Sequence, residues 1–137
     1  MKRYFTVFGE PKGKGRPRFG GGRTYTPETT RAYERQVLAE FRRCYPNTAP
    51  IQAGVPIRVR IMAFFKVAKS DSRATKLEKL NGLIRPTKVP DWDNIGKIIC
   101  DALNGSAWED DAQVVEASVQ KRYGSEPMVC VTIEEDE

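Results

Sequence analysis

The amino-acid sequence predicts a small α/β (α+β) domain, in which helices pack on one face of a mixed β-sheet. Three observations predict this class. The 137 residues are a usual length for one domain, which we take to span residues 1–137. Alternating apolar and charged residues over 56–65 are typical of a half-buried strand. A helical apolar stripe begins at Ile95.

The N-terminal part of the chain predicts a strand, a loop and a helix. Residues 3–8 have the aromatic and β-branched content of a strand. Residues 9–25 are rich in Gly and cations and predict a loop. Thr26 is the expected N-cap of the following helix, with Pro27 in its first turn. Its apolar residues recur every four positions: Tyr33, Val37, Phe41 and Tyr45.

The C-terminal part predicts a second, clearer helix and two final strands. Residues 66–90 form a long charged connection, in which Asp71 or Ser72 could cap a short helix. The clear helix buries one stripe and ends at Asn104-Gly105. The stripe comprises Ile95, Ile98, Ile99, Ala102 and Leu103. Strands are expected at about 113–123 and 128–133, which completes the order β, α, β, short α, α, β, β.

Positive charge is concentrated in two segments that we expect to be flexible basic loops. Residues 11–25 carry five Lys or Arg and no acid, and residues 66–90 carry seven Lys or Arg against two acids. The whole chain has a net charge of only +5, so its remaining body is mildly acidic. This distribution favours a polyanionic partner, although a single basic loop is more often a solubility feature.

Several classes of protein are disfavoured by the composition. The chain has no His, which excludes His-based catalytic triads and His metal ligands within it. Three widely separated Cys residues indicate neither a disulfide framework nor a zinc site. No apolar run approaches the roughly 20 residues of a membrane span, so we expect a cytoplasmic protein without a membrane partner.

An acidic cluster flanks the clear helix and predicts a magnesium site. Asp91 and Asp93 stand at its start, and Asp110 and Asp111 follow its end. Each Asp alone would be read as a helix cap or a turn residue. Together they could bind Mg²⁺, which accepts a few carboxylates and leaves room for phosphate oxygens. Such an ion supports phosphodiester hydrolysis, and Lys97 could orient water or stabilise the transition state.

The run DWDNIGKIICDAL with the downstream WEDDAQVVE resembles the RusA family of Holliday junction resolvases of bacteria, phages and prophages. The N-terminal GEPKGKGRPRF is similar to the longer members of that family. The resemblance covers roughly residues 4–134. It implies a homodimeric endonuclease that uses Mg²⁺, or Mn²⁺ in its place, to cut two opposing strands of a four-way DNA junction in recombination and repair.

The resemblance also implies roles for individual residues. The family's D-x-D acids match Asp91 and Asp93, its helix lysine matches Lys97, and its later acid matches Asp111, with Asp110 as the alternative. Asp101 lies within the motif without an assigned role. The expected phosphate contacts lie in the two basic segments: Lys12, Lys14, Arg16, Arg18, Arg23 and Lys88.

Two other function classes compete with a nuclease. A non-catalytic nucleic-acid-binding protein would have the same basic segments, and its acids would serve only as helix caps. A structural adaptor would use its charges as a solvated surface. The basic segments favour the first two readings over the adaptor, and the acidic cluster favours the nuclease over the binding protein.

Overall fold

A computed structural model describes residues 1–136 as a mixed sheet with three α-helices. The elements in chain order are β1 (Lys2–Phe8), β2 (Arg18–Gly20), β3 (Arg23–Tyr25), α1 (Glu28–Cys44), β4 (Ile57–Lys66), α2 (Arg73–Leu80), α3 (Trp92–Leu103), β5 (Val114–Gly124) and β6 (Met128–Glu135). This architecture confirms the fold class predicted from the sequence. Within residues 1–136, none of the helices is both long and apolar enough to span a bilayer.

The main sheet has the strand order β1-β6-β4-β5. β4 and β5 are parallel, whereas β6 is antiparallel to both of its neighbours. A parallel pair requires a crossover connection, and the chain between β4 and β5 contains both α2 and α3. This crossover places α3 against β5, where the acidic cluster lies.

The core fills the space between one face of the sheet and helices α1 and α3. Alternate residues of β4 are buried from Ile57 to Phe65, as the alternating sequence predicts. The predicted stripe of α3 is also buried, and Ile95, Ile98 and Ile99 have no exposed surface. Because this stripe is fixed in the core, the opposite face of α3 is held towards solvent.

The start of α1 differs from the prediction by one residue. Pro27 occupies the N-cap position instead of Thr26, and no side chain caps the helix. Pro lacks a backbone N–H and has a fixed φ, so it is compatible with a position just before the first helical turn. The helix ends at Cys44, two residues before Pro46, which cannot continue a helix.

The prediction of a loop over residues 9–25 is wrong for its second half. β2 and β3 form an antiparallel hairpin with Phe19 opposite Thr24. Gly21 and Gly22 have φ values of +60° and +79°, which a tight hairpin turn of this type requires. The local signal was obscured because each strand has only three residues.

The connection 66–90 contains the predicted short helix, α2. Ser72 is its N-cap, and its side chain accepts a hydrogen bond from the Thr75 amide. Lys79 anchors α2 through a 2.6 Å ion pair with Asp71 and lies 4.6 Å from the centre of the Tyr123 ring on β5. The basic connection therefore packs along the edge of the main sheet.

Candidate active site

A cavity of about 410 Å³ lies between α3, β5 and the 3-10 helix Asp111–Gln113. Four charged side chains line it: Asp93, Lys97, Asp101 and Asp111. The remaining wall is largely apolar and includes Ile61, Cys100, Val114 and Val119. Charged groups above an apolar floor interact more strongly than the same groups would in open water.

Helical geometry brings three of these charges to the cavity. Asp93, Lys97 and Asp101 are spaced by four residues, so they lie on one face of α3, opposite the buried stripe. Gly96 lies between Asp93 and Lys97 in the chain and also lines the cavity, where a Cβ atom would lie 3.4 Å from Val119 of β5. The sequence therefore determines this part of the site through helical periodicity.

Asp111 enters the cavity from the 3-10 helix, and a hydrogen bond orients its carboxylate. The indole Nε1 of Trp108 donates to Asp111 Oδ1 over 2.8 Å. Trp108 is fully buried, so packing in the core holds the indole donor in place. This arrangement resembles the partners that hold metal-binding carboxylates in fixed orientations.

Asp110 has a different role from Asp111. Its side chain accepts from the Ala112 amide over 3.1 Å and forms a capping box with Gln113. The Gln113 amide group in turn donates to the carbonyls of Gln52 and Val55 over 2.7 and 3.1 Å. The geometry therefore favours Asp111 over Asp110 as the cavity carboxylate.

Asp91 lies beside the cavity, at the N-cap position of α3, but does not line it. Its backbone carbonyl accepts from the Ile95 amide, while its exposed carboxylate makes no capping hydrogen bond. A simple capping role would use this carboxylate, as Asp N-caps usually do. The Asp91 carboxylate can therefore bind a ligand instead of capping the helix.

Cys100 is half-buried in the cavity wall and is held in its neutral form. Burial, together with the negative charges of Asp111 and Asp101, raises the pKa of the Cys100 thiol to about 12. It is a thiol at neutral pH and contributes no charge to the site.

The residues present suit an open Mg²⁺ site rather than a closed one. Among residues 1–136, no three His, Cys, Asp or Glu side chains are grouped closely enough to hold a metal by themselves. Mg²⁺ often uses one or two protein carboxylates and completes its shell with water and substrate phosphate. Asp93 and Asp111, with Asp91 beside them, are donors of the required type.

Most of the predicted phosphate contacts are exposed cations. Lys12, Arg16, Arg18, Arg23 and Lys88 are all exposed. The Lys88 ammonium lies 5.5 Å from the centre of the Phe65 ring, near the chain that enters α3. Lys14 differs, because its ammonium forms ion pairs with Glu34 and Asp101 at 2.9 and 3.0 Å.

The model of the endodeoxyribonuclease RusA family matches residues 9–134. The chain belongs to the RusA family. It is also 36% identical over 134 residues to the uncharacterised protein YqaN of Bacillus subtilis strain 168, and this alignment covers 96% of the chain and 94% of the relative.

Membership of the RusA family identifies a nuclease at the level of the family. The match includes the whole cavity, from the start of α3 to the end of β5. The resemblance predicted from the D-x-D run is therefore confirmed. The individual roles of Asp91, Asp93, Lys97 and Asp111 stay predictions.

Sequence reasoning missed two contacts that shape this RusA-family cavity. The hydrogen bond from Trp108 to Asp111 joins residues three apart, but nothing in the local pattern distinguishes a buried partner from a core aromatic. The ion pair of Lys14 with Asp101 joins distant segments. Charge balance was the available signal, because Asp101 had no assigned partner and Lys14 lay among unpaired cations.

Proposed function

We propose that this protein is a Mg²⁺-dependent, structure-selective endonuclease that cuts four-way DNA junctions in recombination and repair. The observation that carries the proposal is one cavity that brings Asp93, Lys97 and Asp111 together in a chain of the RusA family. An incidental set of caps and surface charges would not require carboxylates from two separate elements to share a cavity.

Asp91, Asp93 and Asp111 are the proposed ligands of the divalent ion. When bound, Mg²⁺ or Mn²⁺ supplies an activated water and neutralises charge on the phosphodiester. Trp108 keeps the Asp111 carboxylate directed towards the cavity through its 2.8 Å hydrogen bond. The exposed Asp91 carboxylate can turn towards the site without losing a capping bond.

Lys97 and the exposed cations act on the DNA. Lys97 is an exposed residue at the cavity rim, one turn after Asp93, where its ammonium can donate to a phosphate oxygen or orient the attacking water. The basic N-terminal segment runs along the start of α3, since the Lys14 amide donates to the Asn94 carbonyl over 2.9 Å. Phosphates bound by this segment would lie next to the acidic residues.

A homodimer suits the proposed reaction. A four-way junction has approximate two-fold symmetry, and two chains related by a two-fold axis would present two equivalent cavities to opposing strands. One cavity per chain would otherwise cut one strand per encounter. The proposed setting is the cytoplasm of a bacterium, with the protein encoded by the host, a phage or a prophage.

A non-catalytic nucleic-acid-binding protein is the second candidate. The observation that favours it is the lack, within residues 1–136, of a ready group of three metal-binding side chains. In that case the basic segments would bind DNA and the carboxylates would only stabilise local structure.

Incubation with a labelled synthetic four-way junction separates the two candidates. The nuclease should produce symmetric nicks in opposing strands with Mg²⁺, none with EDTA, and much less product from a linear duplex of the same sequence. Junction binding without any cleavage in Mg²⁺ or Mn²⁺ would favour the second candidate. Equal cutting of duplex and junction would contradict the proposed structure selectivity.

A further inference from the structure

The N-terminal basic segment contains a tightly packed strap, defined here as residues Gly13–Gly15. A Cβ atom on Gly13 would lie 2.8 Å from the Cβ of Pro90, and one on Gly15 would lie 2.7 Å from Thr30 Oγ1. The Gly15 amide donates to the same Thr30 oxygen over 3.2 Å. The strap therefore has fixed contacts with α1 on one side and the start of α3 on the other.

The strap carries Lys14 into a pair of carboxylates instead of solvent. The Lys14 ammonium lies 2.9 Å from Glu34 of α1 and 3.0 Å from Asp101 of α3, and its side chain is only 18% exposed. Although burial lowers the pKa of Lys14, the two carboxylates raise it further, so the net pKa is above its ordinary value. Lys14 therefore keeps its positive charge throughout the neutral range.

Asp101 connects this ion pair to the cavity. Its carboxylate is the last of the α3 charges, and it lines the cavity together with Asp93 and Asp111. Without Lys14, the uncompensated carboxylate of Asp101 would add a further negative charge beside Asp93 and Asp111. With Lys14 at 3.0 Å, the charge of Asp101 is compensated from outside the cavity.

We propose that Lys14 is a positioning residue that sets the divalent-ion affinity of the cavity by neutralising and holding Asp101. The inference rests on the proposed function, because it needs the cavity to bind a divalent ion. It assigns Lys14 a role different from that of the exposed cations around it. It also explains the two strap glycines, Gly13 and Gly15. Without side chains they let the backbone come close enough to α1 and α3 for Lys14 to reach both helices.

The proposal predicts opposite effects from the two partners of the ion pair. Lys14→Met leaves Asp101 uncompensated, so Mn²⁺ should bind more tightly, by roughly fivefold for one additional nearby charge. Asp101→Asn removes one negative charge from the cavity and leaves Lys14 paired with Glu34 alone, so Mn²⁺ should bind more weakly by roughly the same factor. The double variant should return to within about twofold of the wild-type affinity.

The test is a Mn²⁺ titration of the purified full chain without DNA, followed by the electron paramagnetic resonance signal of free Mn²⁺. The control is Lys2→Met, because Lys2 also pairs with a carboxylate, Glu134 at 3.4 Å, but neither residue lines the cavity. This control should leave the Mn²⁺ affinity unchanged. Circular dichroism should verify the fold of each variant.

The outcomes separate this inference from the proposed function. One outcome is that the wild type binds Mn²⁺, the Lys14→Met variant has an unchanged or lower Mn²⁺ affinity, and the double variant does not recover the wild-type affinity. That outcome would overturn the role of Lys14 and leave the metal site intact. Absence of Mn²⁺ binding by the wild type would overturn both. If Lys14→Met does not fold, Lys14→Gln takes its place: tighter Mn²⁺ binding supports the inference, and unchanged or weaker binding overturns it.

Discussion

The buried indole of Trp108 donates a 2.8 Å hydrogen bond to the carboxylate of Asp111. Of the three aspartates that line the cavity, Asp111 is the one that comes from the 3-10 helix. A fully buried donor thus orients a partly exposed acid. This pair links the core directly to the proposed chemistry.

Trp108→Phe should lower junction cleavage by roughly tenfold to a hundredfold, because the Asp111 carboxylate loses the donor that orients it. It should also lower the free energy of unfolding by about 1–3 kcal/mol, from the lost hydrogen bond and the smaller ring. Single-turnover cleavage and urea unfolding measure the two effects. Unchanged cleavage by a destabilised variant would show that the hydrogen bond serves folding alone.

Asp93→Asn and Asp111→Asn should each reduce Mg²⁺-dependent cleavage by at least about a hundredfold, since each removes a charge from the proposed metal site. Junction binding should be retained or strengthened because repulsion of the phosphates falls. Asp110→Asn is the matched control, since Asn caps a helix as well as Asp does. Wild-type cleavage by Asp93→Asn, measured on the labelled junction, would refute the assigned chemistry.

Replacing Arg16, Arg18 and Arg23 together by Gln should weaken junction binding and flatten its salt dependence. Each phosphate contact that is lost should reduce the slope of log K against log salt by about 0.9. Fluorescence anisotropy at several salt concentrations measures this slope. Arg35→Gln is the control, because Arg35 is an exposed α1 residue that pairs with Glu28 at 2.6 Å, and its slope should equal that of the wild type.

Gly13→Ala and Gly96→Ala should change stability in opposite directions. The added methyl group at Gly13 would collide with Pro90 and Asn94, which should cost about 1–3 kcal/mol. At Gly96 the methyl group meets only Val119 at 3.4 Å, so higher helix propensity should stabilise the protein by up to about 1 kcal/mol. Urea unfolding of both variants compares them, and equal stabilities would argue against a packed strap.

Thiol labelling should distinguish Cys44 from Cys100. Cys44 is exposed, whereas burial and nearby carboxylates raise the pKa of Cys100 to about 12. A raised pKa reduces the thiolate fraction, so Cys100 should react slowly with iodoacetamide at pH 8 and faster as the pH rises. Peptide mass spectrometry follows each site, with Cys44→Ser as the control. Equal labelling rates at pH 8 would contradict the half-buried environment of Cys100.

Local sequence patterns were sufficient for the helices and strands that carry the cavity. The stripe from Ile95 to Leu103 defined α3 and, by elimination, the face that holds Asp93 and Lys97. The alternation from Ile57 to Phe65 defined β4. Both patterns are readable because burial of one side of a regular element imposes a period on neighbouring residues.

Only the tertiary structure decided which distant groups meet. The strand order, with β6 between β1 and β4, depends on backbone pairing that leaves no periodic mark in the sequence. The separation of Asp110 from Asp111 depends on one short 3-10 turn, which directs one carboxylate to a cap and the other to the cavity. Likewise, Lys14 reaches Asp101 across most of the chain. Such contacts follow from the path of the whole backbone, whereas periodicity reports only the nearest turns of each element.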